Sequence, residues 1–275
     1  MTIWDSIILG IVEGLTEFLP VSSTGHLTIV SKMLGLKIDD PSITGFTAVI
    51  QVGAILAVVL YFWKDIVRII RAWVGGLANS ERRDEFDYRM GWYVIVGSLP
   101  IGIVGFLAKD LISGPLRSLW WVAGALIAWS VVMVAAERFG TKSRPLTRIT
   151  FVDALVMGLI QCLALIPGVS RSGATISAGL FRGLERVAAT RIAFLLGIPA
   201  LAGAGVYELK DALNGNVGVA PLLVGTVVSF VVAYASIAWL LRFVAKHPIS
   251  LFAFYRVLLG IVLLILLSTS TITAT

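Results

Sequence analysis

The chain has 275 residues, 58% of them hydrophobic and only 14% charged, with a net charge of +6 and a mean hydropathy of +0.95. So few charges could not cover so much apolar surface in water, which excludes an ordinary soluble domain and makes lipid the solvent. Cys162 is the single cysteine, which excludes an intrachain disulfide or a cysteine-built metal cluster, and the basic residues lie in short loops, which favours topology over nucleic-acid binding.

The N-terminus lacks a basic stretch and a small-residue cleavage site, so it is not expected to be a removable signal peptide. The first apolar segment, residues 6–34, is broken by "EGLTEFLPVSSTGH", Glu13 to His26. Backbone exposed by such a break survives at membrane depth only inside protein or beside a wet cavity, so a re-entrant helical hairpin is expected. Glu13 and Glu17 stand at i and i+4 on one helix face. Two carboxylates that close repel unless one holds a proton or a cation lies between them, and Mg²⁺ or Ca²⁺ would satisfy them. The plainer alternative is that they hydrogen-bond the broken backbone. Beyond Pro20, Ser22, Ser23, Thr24 and Gly25 open a helix whose N–H groups and hydroxyls suit phosphate oxygens, although Ser and Thr also repair ordinary breaks. His26, three residues past Ser23, can take a proton from Ser23 or water, give one to a leaving group, or attack phosphorus itself.

Three spans follow, at residues 46–63, 91–108 and 119–136, each free of charge. A second broken segment, residues 151–180, carries "PGVSRSG", Pro167–Gly173. Arg171 sits there between Ser170 and Ser172, with Thr175 one turn beyond. A guanidinium forks well onto two phosphate oxygens, and pairing with Glu13 or Glu17 is its structural alternative. Spans 192–207, 217–241 and 249–267 complete the chain, the last interrupted only by Arg256. His247, beside Lys246 and Pro248, reads as interfacial. Most runs are long enough to cross a hydrocarbon core of ~30 Å, and the lack of alternation excludes a barrel.

Residues 10–29 match residues 158–177 at an offset of 148, with identities at Gly10, Leu15, Val21, Ser22 and Gly25; Phe46 and Phe194 keep that offset. A hairpin returns to its starting side and three spans separate the two copies, so the second copy is inverted. The expected architecture is all-α: a polytopic membrane protein of six transmembrane helices plus two re-entrant helical hairpins in an inverted 3+3 repeat. It forms a single membrane domain over 1–275, with repeat 1 at about 1–137 and repeat 2 at about 151–270. Lys64, Arg68, Arg71, Arg82, Arg83, Arg89, Arg138, Lys142, Arg144, Arg148, Arg182, Arg186, Arg191, Arg242 and Lys246 fall in loops on one side, which the positive-inside rule makes cytoplasmic. Lys32, Lys37, Lys109, Arg117 and Lys210 fall on the other. Both termini and the first hairpin then face outward. Glu13, Glu17 and His26 align with Gln161, Leu165 and Ala174, and Ser23 aligns with Arg171. That asymmetry suits one composite phosphoryl site better than two equivalent transport sites.

"EGLTEFLPVSSTGH" and "PGVSRSGATIS", with "FTAVIQVGAILAVV" and "QCLALIPG", closely resemble the signatures of undecaprenyl-diphosphate phosphatases, bacterial integral membrane enzymes, and the resemblance spans the whole chain. It implies hydrolysis of undecaprenyl diphosphate to undecaprenyl phosphate and inorganic phosphate. That reaction recycles the lipid carrier for peptidoglycan, depends on a divalent cation, is linked to bacitracin resistance and occurs in the bacterial inner (cytoplasmic) membrane. The family's important residues carry over to Glu13, Glu17, Ser23, His26, Ser170, Arg171 and Thr175. The assignment expected is catalysis by Glu17, Ser23, His26 and Arg171, with Ser23 and His26 acting as a pair. Phosphate binding falls to Ser22, Thr24, Gly25, Ser170, Arg171, Ser172 and Thr175, and metal binding to Glu13 and Glu17. The partners expected are a prenyl diphosphate lipid and membrane lipid, no nucleic acid, and a second copy in a homodimer. A carrier is the rival class, because broken helices in inverted repeats are the usual transporter design.

Overall fold

The computed structural model describes residues 1–36, 40–113, 116, 118–212 and 217–274. In chain order the helices are α1 (Ile3–Thr16), α2 (Ser23–Met33), α3 (Pro41–Tyr61), α4 (Trp63–Ala78), α5 (Phe86–Leu107), α6 (Lys109–Ser113), α7 (Leu119–Phe139), α8 (Phe151–Gln161), α9 (Arg171–Phe181), α10 (Arg186–Ala212), α11 (Val219–Val244) and α12 (Ser250–Ser268). Among the described residues the only strand-like pairing is an isolated bridge between Arg144 and Leu184.

Six helices are long and apolar enough to cross a bilayer: α5, α7, α11 and α12 over their full lengths, α3 over Ser42–Tyr61 and α10 over Arg186–Gly205. The protein is an all-α, multi-pass membrane protein. The helices α1, α2, α8 and α9 are shorter. With 14 residues α1 extends about 21 Å, less than a hydrocarbon core.

The two broken segments start alike. Thr2 and Asp5 form a capping box at α1, and Thr150 and Asp153 form one at α8. Each segment breaks at a serine with positive φ, Ser22 at 77° and Ser170 at 74°. Such backbone is strained for a residue with a Cβ and persists only where its surroundings enforce it. Small residues let α1 and α8 approach their neighbours closely. A Cβ on Gly14 would come within 2.6 Å of the Ser229 carbonyl in α11, and one on Gly158 would overlap Gly97 in α5. The centre of the core is aromatic, with Phe18 edge-on to Phe194 at 5.4 Å and Phe62 edge-on to Phe194 at 6.2 Å.

Ion pairs collect the basic residues on one face of the bundle. Arg191 Nη2 donates to Asp65 Oδ2 at 2.6 Å, and Arg186 pairs with Glu137, whose Oε2 accepts from Ile249 N at 3.1 Å. Arg144 and Arg182 donate to Asp153 at 2.6 and 2.7 Å, bringing the end of α9 back beside the start of α8. Burial alone pushes the Asp153 carboxyl up, but hydrogen bonds from Arg144, Arg182 and Thr150 outweigh it and hold it at about 2. On the opposite face Lys32 donates to the Thr273 carbonyl. Lys37 and Arg117 lie outside the described residues, as does the Lys210 side chain.

Two expectations about local structure are corrected. Residues 64–89 are not simply a basic loop, because α4 occupies Trp63–Ala78. Its cations recur at 64, 68 and 71, one stripe of a helix, which counting charge alone conceals. Two spans also begin earlier than their uncharged runs, α5 at Phe86 and α10 at Arg186, because Asp87 pairs with Arg68 while Arg186 and Arg191 find carboxylates.

Candidate active site

Ser23 Oγ, on the first residue of α2, donates to Glu17 Oε2 at 2.6 Å. The other oxygen of Glu17 accepts from Arg171 Nη2 at 3.4 Å, so one carboxylate joins the two broken segments. Glu17 and Arg171 are nearly buried, and the pair lies where charge is costly unless compensated. Among the described residues, Arg171 Nε and Nη1 are buried without a hydrogen-bond partner. Buried donors are ordinarily satisfied, so Glu17 alone does not saturate this guanidinium.

A cavity of about 220 Å³ opens beside this pair, lined by Glu13, Glu17, Ser23, Thr24, Thr28 and Gln51 among others. Glu13 sits one turn before Glu17 and is buried. The α2 N-terminus also faces a ligand well. Its N-cap, Ser22, makes no side-chain cap, whereas Ser170 Oγ caps α9 by accepting from Gly173 N at 3.2 Å. The N–H groups of Ser23, Thr24 and Gly25 therefore find no acceptor among the described residues, with the helix dipole behind them.

The remaining residues singled out from sequence knit the turns together. Ser22 Oγ accepts from Gly168 N at 3.2 Å, and Ser172 Oγ donates to the Leu19 carbonyl at 3.0 Å. Ser170 Oγ lies 3.1 Å from Ser172 Oγ, and Thr175 Oγ1 donates back to the Arg171 carbonyl. Gly25 is buried, and a Cβ there would press on Val122 at 3.2 Å. The Ser23–His26 contact is not formed. His26 Nδ1 lies 2.7 Å from the Ser22 carbonyl and Nε2 lies 2.6 Å from the Tyr255 hydroxyl. A carbonyl only accepts, so Nδ1 carries the hydrogen and Nε2 accepts from Tyr255. The reason is local: the i−4 carbonyl of a helix start captures the ring before Ser23 can. His247 is exposed and stacked on Phe243 at 4.5 Å.

A family model described as "Bacitracin resistance protein BacA" matches residues 6–262. The chain belongs to the BacA family. It is 57% identical to "Undecaprenyl-diphosphatase 1" of Streptomyces avermitilis, over 99% of each chain. It is also 57% identical to the protein of that name from Streptomyces coelicolor, over 99% of this chain and 98% of the relative, and 54% identical to "Undecaprenyl-diphosphatase 3" of Frankia casuarinae, over the whole of both.

Three residues of this BacA chain escaped the sequence reading of the site. Tyr255 stacks on His26 at 5.6 Å and holds its Nε2. Gly197 leaves room for Arg171, since a Cβ there would overlap Nη1 outright. Arg256 was visible only as a charge within a span. It is fully buried, and its guanidinium donates to the Pro20 carbonyl at 3.1 Å, the Gly168 carbonyl at 2.7 Å and Ser130 Oγ at 3.3 Å. One cation thus ties the breaks of both segments. An intramembrane arginine is signal enough to suspect a role, but its partners lie over 80 residues away in sequence and could not be read from it.

Proposed function

We propose that this chain hydrolyses undecaprenyl diphosphate to undecaprenyl phosphate and inorganic phosphate, recycling a lipid carrier for cell-wall synthesis. The observation that carries the site assignment is the Ser23–Glu17–Arg171 chain, because it puts a hydroxyl, a proton acceptor and a fixed cation at one point. Arg171 and the uncapped N-terminus of α2, at Ser23, Thr24 and Gly25, receive the diphosphate oxygens, and these donors match the charge that builds on the phosphoryl group. Ser23 Oγ attacks the terminal phosphorus, the bridging P–O bond breaks, and the hydroxyl proton passes to Glu17. Undecaprenyl phosphate leaves. Water then adds to phosphorus, the P–O bond to Ser23 breaks, and Glu17 returns its proton to the Ser23 oxygen as inorganic phosphate leaves, while His26, its Nε2 held by Tyr255, braces the start of α2. Ser22, Ser170, Ser172 and Thr175 hold the two turns that present these groups.

A divalent cation, Mg²⁺ or Ca²⁺, fits the same cavity. Glu13 and Glu17 would hold it, beside Gln51 and the hydroxyls of Ser23, Thr24 and Thr28. When bound, the ion supplies charge neutralisation at the diphosphate.

The segments α1–α2 and α8–α9 are proposed as re-entrant hairpins of an inverted repeat, repeat 1 at about 1–137 and repeat 2 at about 151–270 of one membrane domain. Supporting this are the short helices, the capping boxes and strained serines at one offset, and the packing of α1 on α11 and of α8 on α5. With the basic face cytoplasmic, both termini and the α1–α2 segment face outward from the bacterial inner membrane. A homodimer would leave the chemistry complete in each copy, because every residue named comes from one chain. The test is phosphate release by purified protein from undecaprenyl diphosphate, with and without Mg²⁺ and a chelator. No release, or release unchanged in Glu17→Ala and Arg171→Ala, overturns the reading.

A further inference from the structure

The helix α4 lies apart from the cavity beside Glu17 and shares no residue with its lining. It packs on the first turns of α5, with Trp73 edge-on to Trp92 at 5.6 Å and Gly76 against Tyr88, so it stays at the end of the spans. Its 16 residues divide into three stripes. Ile69, Ala72 and Gly76 are buried against the bundle. Trp63, Ile70, Val74 and Leu77 form an exposed apolar stripe. Lys64, Arg68 and Arg71 form a cationic stripe beside it. A helix with this division lies in the membrane interface, its apolar side among acyl chains and its cations at headgroup level.

A cavity of about 440 Å³ opens along the cationic stripe, lined by Lys64, Arg68, Arg71, Arg82, Glu85 and Asp87 among others. Its volume is that of a small-ligand site. The two carboxylates are already engaged, Asp87 by Arg68 at 3.0 Å and Glu85 by Arg82 at 2.8 Å. Lys64 and Arg71 form no ion pair among the described residues, which leaves the cavity with two uncompensated cations. A free phosphate would satisfy them electrostatically, but only an amphiphile would also use the apolar stripe one step round the same helix.

We propose that this cavity binds the phosphodiester headgroup of an anionic phospholipid, with its acyl chains against Trp63, Ile70, Val74 and Leu77. The test is native mass spectrometry of the full-length protein in detergent, titrated with phosphatidylglycerol, with phosphatidylcholine, and with inorganic phosphate as competitor. Phosphatidylglycerol should be retained in preference to phosphatidylcholine, and the double variant Lys64→Gln/Arg71→Gln should bind it roughly thirtyfold more weakly, the share of two basic side chains near a headgroup. Arg242→Gln, an exposed cation outside the cavity, should bind as wild type, and phosphate release by the double variant should be unchanged, which shows that it folds. Equal retention of both lipids, wild-type affinity in the double variant, or displacement of the lipid by millimolar inorganic phosphate would overturn the proposal.

Discussion

Replacing Glu17 by Gln keeps the size of the side chain but removes the carboxylate that can take the Ser23 proton and the charge facing Arg171. Phosphate release should fall roughly 100-fold or more, the usual contribution of a positioned proton acceptor, while the variant still inserts and folds; release assays with thermal unfolding check both. Arg256 makes a different demand. Arg256→Lys keeps a cation but cannot reach Pro20, Gly168 and Ser130 together, so at least one of these buried oxygens loses its donor, at about 1–3 kcal/mol. The expected outcome is a lower melting temperature with a loss of kcat, whereas Arg256 as mere filler would leave kcat alone. Glu13, Glu17, Ser23 and Arg171 could be nominated from the sequence because charge and hydroxyls inside hydrocarbon need a reason. That Ser23 turns to Glu17 rather than to His26 could not, because the choice depends on the Ser22 carbonyl and on Tyr255, a residue 229 positions from His26.

At the scale of the elements, Asp153 shows how the second broken segment is anchored. Its carboxyl has a lower pKa in the fold, about 2, than its ordinary value of 3.8. Its contribution to stability is therefore complete above about pH 4 and is lost as pH falls through 2. Asp153→Asn should lower the melting temperature at neutral pH, and the difference from wild type should shrink as pH approaches 2; melting curves across pH 2–7 check this. The break at Ser170, like that at Ser22, was legible from Pro, Gly and Ser inside apolar runs. The left-handed conformation of those serines was not, since local preference assigns such backbone to glycine, and cross-ties from Gly168, Leu19 and Arg256 hold these turns. The helix α4 was missed for the opposite reason: its cations were read for topology, and their helical spacing went unused.

For the whole molecule, the proposed orientation can be tested by labelling. In a Cys162→Ser background, Ser23→Cys should react with an impermeant thiol reagent added to intact cells, while a cysteine at Arg83, on the basic face, should react only after permeabilisation. The reverse pattern would turn the protein over. The sequence by itself determined the solvent, the six spans and the matched pair of breaks, because hydrocarbon punishes every unsatisfied polar group and leaves few places for one to stand. What only the tertiary structure decided is which polar groups meet. Arg171 reaches Glu17 across 154 positions, and Arg256 pins both turns from the last helix. Local patterns carry no information about such distances; close packing of α1 on α11 and of α8 on α5 sets them, by fixing where each broken segment ends.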